Sequence, residues 1–217
     1  MDEALKRRNK AMIAYLKEAG MLKTEKIINA FENIPRHLFV SVDKAEYAYD
    51  DIALQTVGES TISQPSTVAY MLELLQPKEG ENVLEIGTGS GWEASLLAYC
   101  IGSKGLVVTI EIDPIVAEFG KHNIAKTGFK NIIKVVGDGS IGYPDKAPYD
   151  KIAYTAATPD IPRQMLVQLK AGGRIIAPVG TQFMQTMKVV DKISEKKIEE
   201  KEGAEFQFVP LKGQLGF

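Results

Sequence analysis

Residues 83–92, Val83-Leu84-Glu85-Ile86-Gly87-Thr88-Gly89-Ser90-Gly91-Trp92, carry an apolar strand into three alternating glycines, and a helical pattern opens directly after them. Glycines permit a tight turn and let a ligand lie close to the backbone. Such a turn sits at a strand's carboxyl end, where open α/β sheets bind their ligands. The dinucleotide fingerprint wants glycine at the first, third and sixth positions. Counted from Gly87, the sixth position is Trp92, and an indole there blocks the close helix–strand approach that the last glycine provides. A nicotinamide dinucleotide is therefore disfavoured. The Gly-Lys-Ser/Thr ending of a P-loop is also absent.

Outward from this turn the strand–helix step repeats. Apolar patterning predicts strands over 82–86, 106–111, 132–136, 150–155 and 174–178. It predicts helices over 67–75, 91–101, 114–127 and 161–170. That alternation predicts an α/β fold, a Rossmann-like and mostly parallel sheet with helices on both faces. Residues 1–40 read as helices, with Gly20 as a stop and Thr24 as a side-chain cap. Residues 41–66 lack clean periodicity and include a hydroxyl-rich loop, Leu54 to Pro65, of the kind that often carries function. Residues 184–211 read as two β-like stretches around the charged run Asp191–Glu202, a solvated hairpin. With no repeat and no linker, 1–217 reads as one domain: an N-terminal helical region and catalytic loop (1–66) on an α/β core (67–217).

The bulk numbers exclude several classes. A chain of 217 residues with 45% hydrophobic and 25% charged residues can bury a sizeable core. Its net charge of -2 gives no basic footprint, so no nucleic-acid partner is expected. It opens Met-Asp-Glu-Ala without a signal-like pattern, and no apolar run reaches the roughly 18–20 residues of a membrane span. A cytoplasmic protein with no membrane partner is the expectation. The single cysteine, Cys100, reads as a small buried hydrophobe. His37 and His122 read as structural or solvent-exposed, and no metal-ligand spacing is present.

The Glu85-x-Gly87-x-Gly89-x-Gly91 form resembles the first motif of class I S-adenosyl-L-methionine-dependent methyltransferases, with Thr88 inside the turn. The strand over 106–111 ends in Glu111, 24 residues after Gly87, with Ile112 next. A carboxylate there can accept hydrogen bonds from ribose hydroxyls. After the following strand come Gly137-Asp138-Gly139. In that superfamily an acid at the Asp138 position commonly meets the adenine amino group, with the neighbouring backbone of Gly139 at the ring.

The chain further resembles the protein-L-isoaspartate O-methyltransferase family along nearly its whole length. The resemblance runs through Ile34-Pro35-Arg36-His37-Leu38-Phe39-Val40, Tyr49-Asp50-Asp51, Thr61-Ile62-Ser63-Gln64-Pro65, Ala147-Pro148-Tyr149-Asp150, Leu169 to Arg174 and Phe208-Val209-Pro210-Leu211. It implies a class I sheet with an added N-terminal helical region and a rearranged C-terminal strand pair. It implies methylation of the free carboxylate of L-isoaspartyl residues in damaged proteins and peptides, which are then the partners. Ser63 matches the serine at the family's methyl-transfer centre, Thr61 is its candidate assistant, and the Val57-Gly58 stretch falls near the cofactor. Where many relatives carry Leu-Pro-Ile-Gly, this chain reads Leu54-Gln55-Thr56-Val57; it also has Ser66 in place of His or Tyr, and Trp92 in place of Tyr. A methyltransferase acting on another carboxylate, a small molecule or RNA, and a cofactor-binding paralogue without turnover, remain the alternatives. The sequence does not choose between monomer and homo-oligomer.

Overall fold

The computed structural model describes residues 3–217; residues 1 and 2 of the helical reading lie outside the described residues. Helices α1 (Glu3–Glu18) and α2 (Glu25–Asn33) come first. Each buries one apolar stripe, Met12, Ile13 and Leu16 on α1 and Ile27, Ala30 and Phe31 on α2. Thr24 occupies the N-cap position of α2 but makes no side-chain cap there, contrary to the expectation. Its hydroxyl instead donates to Glu73 of α3 (Pro65–Leu75) at 2.7 Å. The same carboxylate accepts the N–H groups of Lys23 and Thr24, also at 2.7 Å. A helix distant in sequence thus anchors the chain where it enters α2. Between α2 and α3 lie two 3₁₀ turns, Arg36–Phe39 and Val42–Tyr47, and a minimal hairpin of β1 (Leu54–Gln55) and β2 (Thr61–Ile62).

The main sheet contains β3 (Asn82–Ile86), β4 (Leu106–Glu111), β5 (Ile132–Val136), β6 (Tyr149–Tyr154), β7 (Leu169–Gly180), β8 (Gln185–Ser194) and β9 (Lys197–Phe206). Helices α4 (Trp92–Ile101), α5 (Pro114–Ala125) and α6 (Arg163–Gln168) connect its strands. The spatial order is β5-β4-β3-β6-β7-β8-β9. The first five strands in that order run parallel, while β8 and β9 close the edge antiparallel. This is the expected Rossmann-like, mostly parallel sheet, with the C-terminal strand pair antiparallel at one edge. Asp113 caps α5 as its side chain accepts from the N–H groups of Ile115 and Val116.

Register sorts the core into two faces. Val83, Val107, Ala153, Ile176 and Val189 lie on the side of α1 to α4. Leu84, Val108, Ile152, Ile175 and Val190 lie on the other, with Met165 of α6. Side chains alternate across a strand, so partners in register must share a face. Most bounds fall within two residues of expectation, and the largest change lies around 161–180. The helix predicted over 161–170 is only Arg163–Gln168, and the strand predicted over 174–178 extends over Leu169–Gly180. The early part of β7 is drawn into the sheet by pairing of Leu169 with Tyr149, across a register shift. Gly173 lies there so close to the Asp150 carbonyl that a Cβ would sit 2.9 Å from it. The exposed β9 is rich in Lys and Glu, which discourages another strand from pairing at this edge.

Chain order makes β3 the switch point. From β3 the chain steps outward to β4 and β5, then returns to β6 on the other side of β3. A crevice opens at such a point beyond the strands' carboxyl ends.

Candidate functional site

A cleft occupies that crevice, enclosing about 1070 Å³ including its open mouth. That is large enough for a nucleoside-sized ligand. Its floor is the glycine turn, with Gly87 at φ 100° and Gly89 at φ 51°. The Thr155 hydroxyl, beyond β6, donates to the Gly87 carbonyl at 2.6 Å and the Ile86 carbonyl at 3.0 Å. A side chain on Gly87 would strike that hydroxyl. The Gly89 N–H donates to Glu111 at 3.0 Å, so the tip of β4 is tied to the turn. Gly139 and the exposed Ile112 continue the wall toward β5.

The roof is the N-terminal loop. Thr61, Ile62 and Ser63 line the cleft together with Glu59 and Ser60. Arg36 holds this loop from behind. Its buried guanidinium donates to the carbonyls of Ala48 (2.8 Å), Ile52 (2.9 Å), Ile62 (3.2 Å) and Ser63 (2.9 Å). It also lies 5.5 Å over the Trp92 ring. Burial lowers its pKa to about 10, partly offset by the charges of Asp51 and Asp50. Trp92 ties the same region to the glycine turn, its indole N–H donating to the Ile34 carbonyl at 3.1 Å and its ring meeting Phe31 edge-on. The Ser63 hydroxyl has no hydrogen-bond partner among the described residues, and the turn into α3 is capped otherwise, by Asp51 accepting from the Ser66 N–H at 2.8 Å. The departing residues have local work: the Ser66 hydroxyl accepts from Gln64, and Gln55 donates to the Gly58 carbonyl, bracing the 56–60 turn.

The chain's last residues complete the wall. The Leu211 N–H donates to the Ala157 carbonyl at 2.7 Å, placing Val209 to Lys212 along the cleft. Lys212 bridges to Glu59 at 2.7 Å across the mouth. Beyond it, the Gln214 N–H donates to Asp138 at 2.7 Å, while the other Asp138 oxygen accepts from the Ser140 N–H and hydroxyl. Burial would raise the Asp138 carboxyl, but these hydrogen bonds outweigh it and hold the group below the ordinary range.

The structure thus brings Ser63, Thr61, Gly87, Gly89, Glu111, Ile112 and Gly139 together on one cleft. Asp138 sits at its edge against the tail, and Gly58, next to Val57, lies beside Val116 of the wall. Thr88, Glu85 and Gly91 lie behind the surface. Thr88 and Thr109 share a hydroxyl hydrogen bond of 2.7 Å, and Thr109 donates to Glu85. Gly91, at φ 83°, packs so closely on α5 that a Cβ would lie 2.7 Å from Ile124 and 2.9 Å from the Gly120 carbonyl. We expect Gly91→Ala to lower unfolding stability by about 1–3 kcal/mol through strain and overpacking, measured by urea denaturation. A loss within about 0.5 kcal/mol would show that this close approach relaxes freely.

Two acids beneath the turn stand out. Glu85 and Glu93 are buried, and each has one carboxyl oxygen with no partner among the described residues. Burial, with the Glu93 charge added, pushes Glu85 well above the ordinary carboxylate range, against the Thr109 hydrogen bond. Burial pushes Glu93 up to about 8. Glu93 was not singled out from the sequence, although it is the one charge in the otherwise uncharged α4. His37 bonds the Tyr49 hydroxyl at 2.6 Å, and His122 is exposed on α5. Among the described residues no group of three His, Cys, Asp or Glu could hold a metal ion, and no helix is long and apolar enough to cross a membrane.

The donor set suits S-adenosylmethionine: an acid at the β4 tip for ribose hydroxyls, two glycines admitting close approach, and, in Glu93, an unpartnered buried carboxyl oxygen on a cleft-lining residue. Comparisons agree. The family model described as protein-L-isoaspartate(D-aspartate) O-methyltransferase matches residues 7–216. A protein-L-isoaspartate O-methyltransferase of Methanopyrus kandleri is 41% identical over 217 residues, covering 100% of this chain and 96% of that one. Protein-L-isoaspartate O-methyltransferase 1 of Archaeoglobus fulgidus is 45% identical over 196 residues, 89% of this chain and 88% of that one. A solved protein-L-isoaspartate O-methyltransferase superposes with TM-score 0.87 at 33% identity, covering 96% of this chain and 67% of that one. A Plasmodium falciparum chain, solved in complex with S-adenosyl-L-homocysteine, shares the fold at TM-score 0.82 and 20% identity, over 94% of this chain and 98% of that one.

Proposed function

The chain belongs to the protein-L-isoaspartate (D-aspartate) O-methyltransferase family, and on that premise we propose how its cleft does the family's work. The protein is an S-adenosyl-L-methionine-dependent methyltransferase that acts on L-isoaspartyl residues in protein repair. Held in this cleft by the glycine turn and Glu111, the cofactor would supply an electrophilic methyl group on its sulfonium, with the thioether as leaving group. The accepting carboxylate, with a pKa near 3.9, is already ionised at neutral pH. No proton has to be taken from it, so no general base is needed.

The protein's task is positioning. In our reading Ser63 orients the carboxylate through its hydroxyl, and Thr61 assists from the same wall. Glu111 accepts from the ribose hydroxyls, Asp138 and Gly139 serve the adenine with Ile112 beside them, and Gly87 and Gly89 admit close approach. Glu85, Thr88 and Gly91 hold the turn from behind, and Val57 and Gly58 form the rim. The observation that carries this reading is the unpartnered Ser63 hydroxyl, held over the glycine turn by Arg36. We read residues 1–217 as one working domain, because the Arg36–Trp92 contact joins the N-terminal region to the core. A cytoplasmic setting without nucleic-acid or membrane partners belongs to this reading.

The test uses two peptides of one sequence, one with isoaspartate and one with aspartate. We expect base-labile methyl transfer from labelled cofactor to the isoaspartyl peptide alone. Ser63→Ala should lower kcat/KM by about tenfold to a hundredfold, the scale of one hydrogen bond to a charged group. Equal transfer to both peptides, or an unaffected Ser63→Ala, would reject the assigned site.

A further inference from the structure

The acid pair beneath the glycine turn goes beyond what the nucleoside end of the ligand requires. Glu93 is only 7% exposed, lines the cleft, and has an unpartnered Oε1. Around it, β3 contributes Glu85, also with an unpartnered Oε1. From β4 come Thr109, which donates to Glu85, and Glu111, already engaged by the N–H groups of Gly89 and Asp113. Arg36 stacks on neighbouring Trp92, but its donors serve four carbonyls and its charge faces Asp50 and Asp51. Among the described residues no lysine or arginine charge acts on Glu85 or Glu93. Two close buried acids without a cation cannot both stay ionised, so the ligand-free protein keeps at least one protonated.

Glu111, Ile112 and Gly139 mark the ribose and base end of the cleft. Ser63, Trp92 and Glu93 line the same cleft from the β2–α3 connection and α4 rather than from the tips of β4 and β5, and in our reading the amino-acid portion of the cofactor lies on their side. That portion carries an α-ammonium. We propose that Glu93 is a cofactor-recognition residue whose carboxyl, seated beside Glu85, pairs with this α-ammonium and releases its proton to solvent as the cation enters. The balance is simple: a neutral carboxyl and a free ammonium become a carboxylate–ammonium pair and one proton in the buffer. The proposal rests on the cofactor reading given above.

The experiment is titration calorimetry on the full chain at pH 7, in two buffers of different ionisation heat. The ligands are S-adenosylhomocysteine, which retains the α-ammonium, and 5′-methylthioadenosine, which lacks the amino-acid portion. We expect proton release, up to about one per site, with the first ligand and none with the second. Glu93→Gln should abolish the release and weaken S-adenosylhomocysteine about tenfold to a hundredfold, the scale of a charged hydrogen bond, while leaving methylthioadenosine unchanged. Equal weakening of both ligands would make Glu93 merely structural and overturn the proposal. So would an unchanged affinity for S-adenosylhomocysteine, or wild-type binding of it without proton release. That last measurement decides even if the variant fails to fold. Failure of the wild type to bind either nucleoside would instead bring down the cofactor reading itself.

Discussion

Arg36→Met should destabilise the protein by about 3–5 kcal/mol and nearly abolish methyl transfer. The side chain is wholly buried and donates to four carbonyls of the segment that carries Ser63. Methionine fills much of the volume but leaves those carbonyls without their donor, and removes the positive charge that faces Asp51 (Asp50 keeps its ion pair with Arg8). The roof would then lose its fixed position over the glycine turn, and a displacement of about 1 Å costs on the order of a hundredfold in rate. Arg36→Lys should rescue little, because one ammonium cannot reproduce a planar fork shared among four acceptors. Denaturation and peptide methylation measure the two effects. An Arg36→Met protein with wild-type stability and turnover would show that the roof is held some other way.

Ligand-free stability should fall as pH rises from about 4.5 to about 8, and Glu93→Gln should flatten the profile. The folded pKa of Glu93 is raised by burial from its ordinary 4.5 to about 8, and Glu85 is raised with it. An acid raised in the folded state stabilises it fully below the unfolded pKa. That contribution is lost as pH climbs to the folded pKa. For this site the loss is on the order of 2–5 kcal/mol. Glutamine mimics the neutral acid, so the variant should unfold at a higher temperature than wild type near pH 8, and close to it near pH 4.5. Differential scanning calorimetry across that window checks the crossover. Parallel wild-type and variant profiles would mean that Glu93 ionises without penalty. With the binding proposal, the variant gains stability while losing affinity for its ligand, a trade that binding sites commonly show.

Much of this architecture was legible because its signals are local. The strand-glycine-helix run over 83–92 and the acid ending β4 reflect backbone and hydrogen-bond demands met within a few residues. The alternation of strands and helices yielded the sheet for the same reason. What stayed hidden is long-range. The acceptor at the start of α2 is Glu73, 49 residues from Thr24. The four carbonyls of Arg36 span residues 48 to 63. The extension of β7 depends on Tyr149 across the sheet. Glu93 carried a visible signal, a lone acid on an apolar helix, but its meaning depends on Glu85 from another element. Asp138 could be placed from its motif, whereas its clasp on the Gln214 backbone could not.

That clasp bears on biosynthesis. The sheet strands that seat the glycine turn, β3 to β7, end at Gly180, yet the wall of the cleft needs Val209 to Lys212 and the Asp138 clasp needs Gln214. On the ribosome, a chain with every parallel strand already made still has an unfinished pocket. Competence to take the cofactor therefore waits until residues 209–214, made well after the parallel strands, have left the exit tunnel and folded back on the site.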